Sequence, residues 1–175
     1  MNSLRVARNF LKFAYDFSSV QFDLPEDIAQ EIYDWGVKNI PDEILTDDGR
    51  EENIHVTCKY GLHTIDFSDL RNLFVGVKPV SVILGKISLF KSDDCDVIKI
   101  EVVSPELHRL NRNISSSFDV TDTHPIYIPH CTIAYVKRTR GNPYDGRKDF
   151  AGRKLLLDSV VFSGKDNRKT LFKLI

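Results

Sequence analysis

The sequence repeats one short pattern, a histidine followed two residues later by a threonine, inside two apolar segments rich in strand-forming residues. The first segment runs from Ile54 to Tyr60 as IHVTCKY, and the second runs from Pro129 to Tyr135 as PHCTIAY. Successive side chains of a β-strand point to opposite faces, so the histidine and threonine of each segment share a face. The repeat therefore predicts two similar halves, each presenting one imidazole and one hydroxyl.

The two pairs are His55 with Thr57 and His130 with Thr132. A single pair of this kind more often marks a structural histidine beside a strand-forming threonine. Two pairs in matching contexts, each followed by a tyrosine five residues after its histidine, favour a functional site instead. If the two strands lie together, two proton carriers and two hydroxyl donors surround one point, which suits cleavage of a phosphodiester.

These motifs resemble the paired H-x-T motifs of the 2H phosphoesterase superfamily, which includes 2′-5′ RNA ligase-like proteins and cyclic phosphodiesterases. The resemblance covers about residues 18–175, and the residues after each motif look most like those of small 2H proteins carried by bacteriophages. It implies an α+β, bilobal fold in which two antiparallel sheets face a central cleft and the helices lie outside.

The chemistry follows from the residue types. Imidazole has an unperturbed pKa of about 6.5, so near neutral pH one histidine can act as a base while its partner acts as an acid. Thr57 and Thr132 would bind the non-bridging phosphate oxygens. We predict catalysis by these four residues without a metal ion or cofactor, and the sequence leaves open which histidine is the acid.

Five further residues are candidates for substrate binding. Alternation places Lys59 on the face of His55, where it could hold a second phosphate, although a strand lysine is more often solvated. Tyr60 and Tyr135 have the opposite parity, which favours core packing unless a bulge intervenes. Many 2H proteins carry a basic residue where Tyr135 stands. Tyr127 and Tyr144 fall in loop-like segments and could stack on a base.

The composition of the chain limits the kinds of nucleic acid that it is expected to bind. The chain has 175 residues, 42% of them hydrophobic, and a formal charge of −1, so it lacks the basic surface that binds duplex DNA. A small cyclic or linear oligonucleotide needs only a local positive pocket. Three cysteines without C-x-x-C spacing indicate reduced thiols in a cytoplasmic protein, within a host if a phage encodes it. No apolar run predicts a membrane span.

The pattern along the chain predicts an amphipathic N-terminal helix over residues 1–17 and a single 2H domain over residues 18–175. Within that domain, a strand near 18–23 leads into a helix with Val37 among its inward residues and an end near Gly36 to Pro41. The acidic, polar segment 42–52 is predicted to be a loop.

Two classes of function remain open. The first is a phosphodiesterase that cleaves a cyclic or short oligonucleotide; the phage-like resemblance implies that this is a host immune signal. RNA 2′,3′-cyclic phosphate end processing or 2′-5′ ligation is the other enzymatic option. The second class is a non-catalytic module that binds and sequesters a nucleotide. The sequence does not indicate the base, the linkage or the oligomeric state.

Overall fold

The computed structural model describes residues 16–124 and 126–175, so the predicted N-terminal helix lies outside the described residues except for its last two positions. Within them the helices are α1 (Glu26–Asn39), α2 (Phe67–Phe74) and α3 (Pro105–Ser117). The strands are β1 (Ser18–Asp23), β2 (Leu45–Arg50), β3 (His55–Leu62), β4 (Val80–Lys91), β5 (Cys95–Val103), β6 (His130–Lys137), β7 (Lys154–Leu157), β8 (Ser159–Ser163) and β9 (Lys169–Lys173).

The strands pair antiparallel in the order β7-β4-β5-β6-β3-β1-β8-β9, and β2 adds to β6 beside β3. Two groups of strands meet where β3 and β6 are joined through one residue pair, Val56 opposite Cys131. The predicted α+β fold of antiparallel strands is confirmed. The two predicted sheets are joined at that pair into one strongly curled sheet.

Apolar side chains at alternate strand positions form the core with one face of each helix. In α3 the buried residues are Leu107, Leu110 and Ile114, which recur at helical spacing. That helix begins where the hydroxyl of Ser104 accepts a hydrogen bond from the backbone N–H of Leu107, immediately before a proline suited to a first turn.

Two local predictions are wrong. Val37, predicted to face inward, is 51% exposed. The helix ends at Asn39, within the predicted range, and Gly36 is buried inside it. A Cβ atom at Gly36 would lie 3.1 Å from Cγ2 of Ile133 in β6, so the missing side chain lets helix and strand approach closely. The segment 42–52 contains a short 3₁₀ turn and β2 rather than a loop. The polar residues of β2 give no strand pattern in the sequence. The strand forms because it pairs with β6, which is distant in sequence.

Candidate active site

The two H-x-T motifs begin the two strands at the junction of the sheet: His55 opens β3 and His130 opens β6. Val56 and Cys131 pair there, and both side chains are fully buried. Because adjacent strand residues point to opposite faces, the motif side chains all lie on the other face of this pair. They are His55, Thr57, His130 and Thr132. The antiparallel register sets each histidine across from the threonine of the other motif.

Both imidazoles are held in the same way. Nδ1 of His55 lies 2.6 Å from the carbonyl oxygen of Asn53, and Nδ1 of His130 lies 2.7 Å from that of Ile128. A carbonyl oxygen can only accept, so Nδ1 carries the hydrogen in both rings. Nε2 is thereby left to accept a proton when the ring is neutral and to donate one when it is charged.

His130 lies against the Phe90 ring, with centroids 4.8 Å apart and planes perpendicular. Burial is the main reason that the pKa of His130 is lowered, and the nearby charges of Lys99, His55 and His124 lower it further. The hydrogen bond to Ile128 acts in the opposite direction but does not offset these effects. His130 is therefore neutral near neutral pH, as a general base must be.

A β-bulge interrupts each motif strand directly after the threonine. Along β1, Gln21 pairs with Thr57 and Val20 pairs with Lys59, so the register passes over one residue of β3. Along β5, Lys99 pairs with Thr132 and Ile98 pairs with Ala134, so the register passes over one residue of β6. An extra residue reverses the alternation of all side chains that follow it.

The bulges correct the predicted parity of the two motif tyrosines. Tyr60 and Tyr135 are half-buried, while the residues on either side of each are buried. Both tyrosines thus share the face of the histidines and threonines. Burial raises the pKa of Tyr135, and its interaction with the side chain of Thr132 lowers it to a lesser extent. The Tyr135 side chain therefore remains a neutral phenol, able to donate one hydrogen bond.

The same bulge overturns the predicted placement of Lys59. This residue pairs with Val20, is only 5% exposed and forms an ion pair with Asp122. It lies on the core side of β3 rather than on the face of His55. The predicted placement of Lys59 on the face of His55 is therefore wrong, because the extra residue in the strand turns its side chain away.

The structure ties both predicted loop tyrosines to backbone carbonyl groups. The hydroxyl of Tyr127 donates to the carbonyl oxygen of Thr57 at 2.9 Å, and its ring packs against the core near the buried thiols of Cys58 and Cys131. Tyr144 is 8% exposed and donates to the carbonyl oxygen of Asn39 at the end of α1. Both hydroxyls are therefore engaged with the backbone, and stacking of these rings on a base stays a prediction.

The two thiols nearest the motifs lie on the core side, as alternation predicts. Cys58 and Cys131 are fully buried, and burial raises the pKa of each to about 12. A thiol with so high a pKa is protonated at neutral pH and does not act as a nucleophile.

Sequence reasoning missed the residues that neighbouring strands place beside the motifs. A carboxylate lies opposite each histidine, and a polar residue lies opposite each threonine. These cross-strand partners are Asp23 for His55, Gln21 for Thr57, Glu101 for His130 and Lys99 for Thr132. Lys99 is a charged residue inside the apolar run of β5, which could have marked it as a candidate. Its position opposite Thr132 depends on strand pairing, which the sequence does not show.

No group of three or more His, Cys, Asp or Glu side chains within residues 16–124 and 126–175 is arranged to hold a metal ion. The helices of this described part include none that is both long and apolar enough to cross a membrane.

No family model matches the sequence, and no curated protein matches it. Solved structures match most of the chain. TT0787 of Thermus thermophilus is 13% identical with a TM-score of 0.58, over 91% of this chain and 95% of that one. E. coli LigT in apo form is 18% identical with a TM-score of 0.56, over 91% and 94%. A further phosphoesterase is 15% identical with a TM-score of 0.56, over 91% and 95%. The chain therefore has the fold of the LigT-like 2H phosphoesterases.

Proposed function

We propose that this protein is a phosphodiesterase that cleaves a small cyclic or short oligonucleotide without a metal ion. The observation that carries the proposal is the pairing of Val56 with Cys131, which gathers two histidines and two threonines on one face. The identical Nδ1 contacts leave Nε2 of both imidazoles available for proton transfer. A metal ion is not needed where one base and one acid already flank the phosphorus.

His130 is the general base in this proposal, because its lowered pKa keeps it neutral. It removes a proton from water, or from the 2′-hydroxyl beside the phosphate, as that oxygen bonds to phosphorus. His55 donates a proton to the oxygen that departs as its bond to phosphorus breaks. Thr57 and Thr132 donate hydrogen bonds to the non-bridging oxygens, where negative charge accumulates.

The proposed substrate is small. A chain with a formal charge of −1 has no excess of basic residues to follow a duplex, which makes a short or cyclic oligonucleotide the better match. E. coli LigT forms complexes with phosphate, 3′-AMP and ATP, which are ligands of this size. Because the residues after each motif resemble those of phage-encoded 2H proteins, we propose that the substrate is a cyclic nucleotide used as an immune signal. The protein would degrade it in the host cytoplasm as part of phage counter-defence.

The test is to incubate the full chain with cyclic di- and trinucleotides, 2′-5′ oligoadenylates and RNA bearing 2′,3′-cyclic phosphate ends, in EDTA. Products are identified by mass spectrometry. The double variant His55→Ala/His130→Ala should lose at least about 10²-fold in rate. His63→Ala is the matched control, because His63 lies just beyond the other end of β3, where its Nε2 contacts Thr121.

Each outcome bears on the proposal. Cleavage of a cyclic oligonucleotide by the wild type and His63→Ala alone supports it. Cleavage confined to 2′,3′-cyclic RNA ends reassigns the protein to RNA end processing, and joining of such ends reassigns it to 2′-5′ ligation. If nothing is cut while wild type and double variant retain the same nucleotide, the protein is a binding module. Activity lost in EDTA and restored by a divalent cation overturns the mechanism.

A further inference from the structure

Lys99 is a buried cation beside the second motif that the two-histidine mechanism leaves without a role. Its side chain is 3% exposed, and Nζ donates a hydrogen bond to Oγ of Ser88 at 2.7 Å. Nζ also lies 4.2 Å from the centroid of the Phe90 ring. No carboxylate among the described residues forms an ion pair with it. A buried ammonium is usually paired with an anion, because removal from water disfavours the charged form.

The position of Lys99 relates it to the reacting groups. Its cross-strand partner is Thr132, and the two side chains therefore point to the same face of the sheet. The Phe90 ring contacts both the ammonium of Lys99 and the imidazole of His130. The charge of Lys99 also acts on the imidazole of His130. The ammonium is therefore part of the same cluster as the second motif.

At the corresponding position of the first motif, the described residues place no cation. The corresponding position, opposite Thr57, is occupied by Gln21, whose amide donates to the carboxylate of Asp23 at 3.0 Å. Tyr135 cannot supply a positive charge either, because its side chain is a neutral phenol or an anion in any state. Lys99 is thus the cation that strand pairing places beside a motif threonine.

We propose that Lys99 binds a non-bridging oxygen of the phosphate in the cleft, together with Thr132. The inference rests on the proposed function and names the group that holds the anion. An ammonium has three N–H donors, of which one reaches Ser88 and one side lies over the Phe90 ring. The remaining donor is available to a phosphate oxygen. A bound phosphate would give the ammonium a direct ionic partner, in addition to the electrostatic attraction of Glu101 and Asp145.

The chain contains a matched control for this role. Lys59 is also a buried strand lysine next to a motif, but it lies on the core side and is paired with Asp122. Lys99→Met and Lys59→Met remove the same charge and keep similar side-chain volume. Only the first variant should weaken the binding of an anion in the cleft.

The first measurement is the affinity of the full chain for inorganic phosphate, determined by isothermal titration calorimetry. We expect Lys99→Met to bind phosphate about 10- to 100-fold more weakly, as loss of one charge-assisted hydrogen bond predicts, and Lys59→Met to bind like the wild type. Equal affinity of Lys99→Met and wild type overturns the inference. So does the absence of phosphate binding by the wild type.

A second measurement uses the unmutated protein, so it does not depend on the folding of a variant. In protein labelled at the lysine side chains, phosphate should shift the Lys99 ammonium resonance and leave that of Lys59 unchanged. An unmoved Lys99 resonance at saturating phosphate overturns the inference. Both readouts are independent of turnover, so a protein that binds phosphate through Lys99 but cuts no substrate refutes the proposed catalysis alone.

Histidine titration separates a direct electrostatic role from a purely structural one. His130 is faced by His55, His124, Lys99 and the cross-strand carboxylate of Glu101. Removing the positive charge of Lys99 should raise the pKa of His130, measured by NMR, whereas Lys59→Met should leave it unchanged. A Lys99→Met protein that is folded and shows no such rise contradicts the placement of the ammonium beside His130.

Discussion

His55 and His130 are restrained by the same contact, a carbonyl oxygen two residues earlier in the chain that lies 2.6 or 2.7 Å from Nδ1. Each histidine opens a strand, so the carbonyl belongs to the extended segment that enters it. The contact sets the tautomer of both rings by local structure alone. The two motif histidines are therefore held alike, and the two halves of the candidate site differ in what surrounds them.

The pH dependence of activity should reflect the environment of His130. A general base acts in its neutral form, and burial lowers the pKa at which this side chain becomes protonated. The acid limb of kcat/KM against pH should therefore have its midpoint below the ordinary histidine value of about 6.5. NMR titration of His130 should give the same midpoint. An acid limb above that value would contradict the assignment of His130 as the base.

The same shift makes the folded protein less stable in acid. The unfolded chain takes up a proton at the ordinary histidine pKa, before the folded chain does. The contribution of neutral His130 is therefore fully present above about pH 6.5 and declines as the pH falls through the lowered value. Urea unfolding of wild type and His130→Gln across this range should show a shallower decline for the variant.

Tyr127→Phe should impair activity, whereas Tyr144→Phe should not. Each hydroxyl donates to a backbone carbonyl at 2.9 Å, so each variant should lose about 1 kcal/mol of unfolding free energy. The acceptor of Tyr127 is Thr57, within the first motif, and loss of that bond should lower kcat/KM severalfold. The acceptor of Tyr144 is Asn39, at the end of α1. Equal activity of the two variants would show that Tyr127 does not position the motif.

Asp122→Ala should destabilise the fold. Its carboxylate pairs with buried Lys59, and the carboxylate itself is 66% exposed, which weakens the interaction through solvent screening. Leaving the buried ammonium without that partner should cost about 1–2 kcal/mol in urea unfolding. Asp93→Ala is the control, because the fully exposed carboxylate of Asp93 lies 3.9 Å from the guanidinium of Arg138. The unfolding midpoint of this variant should equal that of the wild type. An unaltered midpoint for Asp122→Ala would show that the pair is energetically neutral.

Gly61→Ala should be far more damaging than Gly76→Ala. Both glycines have positive φ, 97° and 75°, which an alanine adopts only with strain of about 1 kcal/mol. A Cβ atom on Gly61 would also lie 2.0 Å from the carbonyl oxygen of Thr121, whereas nothing lies within 4 Å of one on Gly76. Thermal unfolding should show a loss above about 3 kcal/mol for Gly61→Ala. Similar losses for both would indicate that strain alone matters.

Residues close in sequence were predicted well because alternation is a local property. The period of two put His130 and Thr132 on one face and Cys131 on the other, which the burial of the thiol confirms. Helical spacing located the buried face of α3 in the same way. The repeat of the motif further predicted two similar halves, and the two motif strands do pair with each other at the junction of the sheet.

Only the tertiary structure determines which side chains lie on the same face of the sheet as the motif residues. The bulges appear only when β3 and β6 are paired with β1 and β5. They place Tyr60 and Tyr135 on the face of the motif histidines and Lys59 on the opposite face. Strand pairing likewise brings Lys99 opposite Thr132. The sequence by itself determined the two H-x-T pairs and the faces they share, because the strand period is local. Register depends on hydrogen bonds between distant segments, and so only the folded sheet determines the remainder of the site.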